Sequence, residues 1–187
     1  MKESIKMIMV LSLICAVCSF VLAFIHKGTK ERIQEQVLIN VKGPAVETVL
    51  SGSENELIKD RKEYDVDSGK LQVFTGNKSN APWAVAFETF AGGFGGDVGV
   101  VVGFNLEDDT LTGIGITTHK ETPGVGSKIG EPTFSNAFKD KSIDDTFKVK
   151  ADGGVIDAIT GATISSKAVC NAVEKAIPIY KELKEKL

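Results

Sequence analysis

Between Lys6 and His26 the chain runs through 19 residues, Met7 to Ile25, without one charged side chain. As a helix this run spans roughly 28 Å, close to the hydrocarbon thickness of a bilayer. A secretory signal would carry a shorter apolar core and a small-residue cleavage site. Here the run ends Leu22-Ala23-Phe24-Ile25-His26-Lys27, so a retained transmembrane helix is expected, with a cleaved signal as the alternative. Lys2 and Lys6 on one flank nearly balance His26, Lys27, Lys30 and Arg32 on the other, so the flanking charge does not set an orientation. Cys15 and Cys18 form a C-x-x-C inside the run. With Cys170 the only other cysteine, they are lipid-facing thiols or half of a site that another protein chain would complete.

The rest of the chain must fold as an ordinary packed domain. Three cysteines cannot supply a disulfide framework, and 42% hydrophobic with 25% charged residues is the balance of a globular core. A net charge of −3 over 187 residues leaves no basic face for nucleic acid. The expected organisation is an N-terminal region, 1–28, holding the transmembrane helix 7–25. A helical connector and the start of the soluble domain follow at 29–80, then a core at 81–187 that includes a C-terminal helix.

Thr29 to Val41 has helical spacing, with Ile33, Val37 and Val41 four apart, and can prolong the anchor; Gly43-Pro44 is expected to end it. Ala45 to Leu50 reads as a short second helix closed by Ser51-Gly52-Ser53, and Asp67-Ser68-Gly69-Lys70 as a hairpin turn. Trp83–Phe90, Val98–Leu106 and Leu111–Thr118 carry strand patterning. The last two flank the short acidic turn Glu107-Asp108-Asp109-Thr110 and should pair as an antiparallel hairpin, its acids forming a solvated tip or, less simply, a cation site. Ala91-Gly92-Gly93-Phe94-Gly95-Gly96 joins the first two strands. It lacks the spacing of a phosphate loop and reads as a tight connection that can also let a ligand approach.

Pro132–Phe138 should be a short helix and Thr146–Lys150 a further strand. In Ile164–Tyr180 the residues Ile164, Ala168, Ala172, Ala176 and Tyr180 repeat every four, marking an amphipathic helix. Pro178 should bend or end it, leaving a solvated Lys-Glu tail. The fold class is therefore α+β: a single transmembrane helix followed by a mostly antiparallel sheet with helices packed on it.

Two segments carry chemistry. Asp157-Ala158-Ile159-Thr160-Gly161-Ala162-Thr163 leads into the last helix, whose first amides lack intrahelical partners and carry partial positive charge suited to a phosphate. Thr163 should lie at or beside the N-cap with its hydroxyl exposed, either as an ordinary cap or as part of an anion site. His119-Lys120-Glu121-Thr122-Pro123-Gly124-Val125-Gly126 follows the third strand as a rigid loop, structural or forming one wall of a pocket. Its His-x-Glu lacks the Pro-Cys-x-x-Cys partner of a zinc deaminase, and with no nucleophile elbow and Cys170 expected within a helix, neither a Ser-His-Asp nor a Cys-His hydrolase can be argued.

Together, Thr160-Gly161-Ala162-Thr163 preceded by Asp157, the His119–Gly126 loop, the Gly-Gly-Phe-Gly-Gly connection and the N-terminal span resemble a known family. It is the membrane-anchored FMN-binding subunits of the Rnf and Na+-translocating NADH:quinone oxidoreductase complexes, the G subunit of the Rnf complex above all. The resemblance implies FMN joined through its phosphate to the hydroxyl of Thr163 and installed by a flavin transferase. It assigns Asp157, Thr160, Gly161 and Ala162 to the attachment motif, with Ser165 where relatives carry threonine. It brings Glu121, Thr122, Pro123, Gly124, Val125 and Gly126 towards the flavin. By spacing, Lys167 on the first turn can neutralise phosphate charge. The implied function is electron transfer within a membrane-bound, ion-translocating ferredoxin:NAD oxidoreductase, with the other subunits and the lipid bilayer as partners. The implied location is the bacterial cell membrane, with the soluble domain outside the cytoplasm. The corresponding quinone-reductase subunit, or an anchored anion-binding module, are the alternatives.

Overall fold

A computed structural model describes residues 2–67, 69–79 and 81–186. The chain divides into two compact units, Met1–Leu38 and Ile39–Leu187. The first is dominated by helix α1, Lys2–Val37, whose apolar side chains from Met7 to Ile25 are uncovered by protein. At 1.5 Å per residue α1 exceeds the roughly 30 Å of a bilayer's hydrocarbon, so its polar end from His26 onward projects beyond the apolar span. Cys15 and Cys18 are exposed on it.

A π-helical turn, Leu38–Lys42, leads in sequence to helix α2, Gly43–Val49. Contrary to the expectation from the sequence, Gly43-Pro44 therefore does not end the helical path. Pro44 stands in the first turn of α2, where its fixed φ is compatible with the helix.

Among the described residues the second unit holds five strands in one antiparallel meander: β1 Lys62–Val66, β2 Gly69–Lys78, β3 Ala81–Gly92, β4 Asp97–Asn105 and β5 Leu111–Thr118. The β1–β2 hairpin closes on the pair Val66–Gly69; Ser68 of the expected turn lies outside the described residues. Val85, Phe87, Val98, Val100, Val102 and Phe104 alternate onto one face and pack in the main core with helix α4, Thr163–Lys184. The opposite face approaches α2. A β-carbon on Gly115 would stand 2.8 Å from that of Ala45, and one on Gly103 would overlap Val49, so glycine in β4 and β5 is what lets α2 lie so close.

Helix α3, Pro132–Ser135, continues into a 3-10 turn to Phe138, filling the expected short-helix position. Thr146–Lys150 is not a sheet strand. It makes only a single bridge, Val149 to Ile156, because the returning segment uses its backbone. Val155 N–H donates to Thr146 O, Ile156 N–H to Lys148 O and Lys150 N–H to Ile156 O, while Phe147 and Val149 bury their side chains.

Helix α4 also runs further than expected, through Pro178 to Lys184. An interior proline costs about 3 kcal/mol in a helix. Beyond it Tyr180 and Leu183 are fully buried, each contributing roughly 1.5–3 kcal/mol, which offsets that cost. The acidic hairpin tip is solvated at Glu107 and Asp108, as expected, while Asp109 belongs to the same arrangement. Asp109, at φ +54°, accepts the Tyr180 hydroxyl at 2.6 Å and the Lys184 ammonium.

Candidate functional site

Chain direction brings three loops to the N-terminal end of α4. The β3–β4 connection is tight, with Gly93 N–H donating to Gly96 O at 2.8 Å. It is nevertheless tied to the loop after β5, because Gly95 N–H donates to Glu121 Oε1 at 3.1 Å. Glu121 Oε2 accepts the hydroxyl of Ser165 on the first turn of α4. One buried carboxylate, 5% exposed, thus joins the glycine connection, its own loop and the helix entry. Glycine is needed around it. A β-carbon on Gly93 would overlap Glu121 Oε1, and one on Gly126 would lie 2.9 Å from both Glu121 Oε2 and Ser165 Oγ.

The protonation of Glu121 follows from these contacts. Burial pushes its carboxyl up. The Ser165 hydroxyl, the amides of Gly95 and Phe94, and the nearby His119 outweigh that and hold it below the ordinary glutamate value. His119 Nδ1 accepts the Glu121 N–H at 3.3 Å.

The helix entry differs from an ordinary threonine cap. The N-cap residue is Ala162, no side chain caps it, and Thr163 is the first helical residue. The preceding turn is shaped by Gly161 at φ +81° and by Ser166. The Ser166 hydroxyl accepts Ile159 N–H and donates to Ala162 O, both at 3.0 Å. The first amide of the helical ladder is that of Ser166, bonded to Ala162 O at 3.0 Å, so the N–H groups of 163–165 lie ahead of it. Thr163 is exposed, and among the described residues its hydroxyl makes no hydrogen bond.

These elements enclose an open cavity of about 350 Å3 lined by Phe94, Glu121, Thr122, Val125, Gly126 and residues 161–165. Its size falls in the range of small-molecule and cofactor sites. Phe94, Val125 and Ile164 are 70%, 42% and 53% exposed and give it an apolar rim. Ile164, grouped by its spacing with the buried stripe of α4, faces this opening instead.

Of the residues singled out in the sequence, Glu121, Thr122, Val125, Gly126, Gly161, Ala162, Thr163 and Ser165 meet in the cavity wall. Pro123, Gly124, Asp157, Thr160 and Lys167 are not in it. Asp157 pairs with Lys150 at 2.8 Å. Lys167 pairs with Asp152 at 2.7 Å, so the ammonium expected beside a phosphate is directed elsewhere. Phe94, Ile164 and Ser166 have parts in the site that spacing does not assign. For Phe94 the available signal is an aromatic ring isolated between two glycine pairs.

The chain from 93 to 178 matches the FMN-binding domain family, a stretch that contains the whole cavity wall. The chain is similar to the G subunit of the ion-translocating oxidoreductase complex of Shewanella amazonensis, with 32% identity over 94% of this chain and 87% of that protein. The G subunit from Methanosarcina acetivorans is 30% identical over 94% of both chains, and that from Erwinia tasmaniensis 34% over 88% and 84%. Among solved structures, the C subunit of the Na+-translocating NADH-quinone reductase of Parabacteroides distasonis superposes with a TM-score of 0.54 at 25% identity. The match covers 70% of this chain and 68% of that one. With 32% identity to a G subunit across 94% of the chain and a long apolar helix among the described residues, this protein belongs to the family of G subunits of the ion-translocating oxidoreductase complex.

Proposed function

We propose that the protein is an electron-carrying subunit whose FMN is esterified through its phosphate to the Thr163 hydroxyl, within a membrane complex that couples ferredoxin and NAD to ion movement. The observation that carries this reading is the Thr163 hydroxyl itself: exposed, unbonded, on the first helical residue and in the wall of the cavity. The residues present fit the cofactor. A phosphate on Thr163 would meet the amides of 163–165 at the positive end of α4, which offsets negative charge without a lysine. Phe94, Val125 and Ile164 offer an apolar wall for a planar ring and limit the access of water to it. Gly161 leaves space at the acceptor, its nearest non-neighbouring contact for an added β-carbon being Val125 at 3.7 Å.

Bound FMN supplies the electron transfer, and an ester bond prevents its loss between cycles. The chain's own part is to hold the phosphate, orient the ring and dock with the neighbouring proteins of the complex. A separate flavin transferase installs the group. Asp157 and Thr160, exposed ahead of the acceptor, are available to that enzyme rather than to the ring. Helix α1 crosses the cell membrane once and the soluble unit lies outside the cytoplasm.

Co-expression with a flavin transferase followed by a denaturing gel tests the attachment. The wild type should give a yellow fluorescent band and Thr163→Ala none. A module that merely held an anion would give no band in either, and covalent flavin persisting in Thr163→Ala would refute the assignment.

A further inference from the structure

Glu121 is the one charged side chain among the buried polar residues described, and among the described residues no ion pair reaches it. A buried carboxylate without a cation is costly unless its lone pairs are satisfied. Here they are satisfied by neutral donors, the Ser165 hydroxyl and the amides of Phe94 and Gly95, with the exposed His119 adding only the smallest, electrostatic contribution. Neutral donors stabilise the ion without cancelling its charge. Glu121 also lines the cavity next to Thr122 and Ser165, so the charge lies in the wall of the space that the cofactor would fill.

We propose that Glu121 presents an uncancelled negative charge to the FMN site and thereby keeps the reduction potential of the cofactor low. This rests on the reading of Thr163 as the attachment point. Reduction adds electrons to the ring, and a fixed negative charge in a partly desolvated wall opposes that gain more strongly than it would in water. The same carboxylate fixes the Phe94 turn, but that task needs only an acceptor. The charge is the separable property.

The test is a spectroelectrochemical titration of the FMN-loaded full-length protein as wild type, Glu121→Gln and Glu121→Asp. The midpoint should rise in Glu121→Gln, which keeps size and an acceptor but loses the charge, and stay nearer to wild type in Glu121→Asp. A wild-type midpoint in Glu121→Gln, or equal shifts in both variants, would overturn the proposal. The wild type alone gives a second test. Its reduced-minus-oxidised infrared spectrum should show no protonated-carboxyl band growing on reduction, since such a band assigned to Glu121 would mean the charge is cancelled when it matters. A normal covalent band with an unmoved midpoint removes only the role of Glu121. Absence of covalent flavin from the wild type removes the attachment reading and this proposal together.

Discussion

Thr163 and Gly126 occupy the same cavity wall with opposite relations to stability. Thr163 is exposed and caps nothing, so Thr163→Ala should change the unfolding free energy by no more than about 0.5 kcal/mol while removing the proposed attachment point. Gly126 is buried against Glu121 and Ser165 at distances that a methyl group cannot occupy without displacing them. Gly126→Ala should therefore destabilise the soluble unit by about 1–3 kcal/mol, read by denaturant unfolding, and reduce flavin loading as the Glu121–Ser165 contact is pushed apart. If both substitutions destabilised equally, Thr163 would be structural and the division between the acceptor and its support would be wrong.

Among the elements, α4 carries both the site and the clasp that keeps the site in place. Its C-terminal half is held by Tyr180 stacked on Phe104, ring centres 4.3 Å apart, and by the Tyr180 hydroxyl on Asp109. Burial and the neighbouring carboxylate push the Tyr180 phenol well above its ordinary value, so it stays a donor throughout the working range. Tyr180→Phe should cost roughly 1 kcal/mol in thermal or chemical unfolding.

Hydrogen bonds from Lys184 and Tyr180 hold the Asp109 carboxyl below the ordinary aspartate value, as the donors around Glu121 do for that residue. A carboxyl lowered in the folded state stabilises the fold above its unfolded value, about 4. That contribution is lost as pH falls from there through the folded value. Stability of the soluble unit should therefore decline below about pH 4, and less steeply in Asp109→Asn; a parallel decline in that variant would dissociate Asp109 from the acid response.

The strands β3, β4 and β5 are legible in the sequence because alternation and glycine-rich or acidic turns act over a few residues. Thr146–Lys150 shares the strand composition without joining the sheet, because the partner that takes up its backbone is its own returning segment, which propensity does not register. Pro178 misleads for the converse reason: burial of Tyr180 and Leu183 outweighs a local penalty. In the site, backbone-level features such as the exposed Thr163 hydroxyl beside an N-cap are legible. The direction of Lys167 towards Asp152 is not, since helical spacing gives a position on the helix and not the identity of the partner.

For the molecule as a whole, the two units divide location from chemistry. The apolar side chains of α1 from Met7 to Ile25 have no protein cover, whereas the core formed by the sheet and α4 lies entirely within Ile39–Leu187. Full-length protein should partition with membranes and require detergent. The fragment 39–187 should remain in the aqueous phase, unfold cooperatively and still accept flavin from the transferase. A fragment that aggregated or failed to fold would show that the core depends on the anchor.

The attachment of FMN to Thr163 is tested most directly by intact-mass spectrometry of full-length protein matured with an active flavin transferase, with fragmentation to locate any modification. The expected result is a mass increase of one phosphoester-linked FMN, placed on Thr163 and absent from Thr163→Ala. An unmodified polypeptide mass, or FMN placed on another residue, would contradict it.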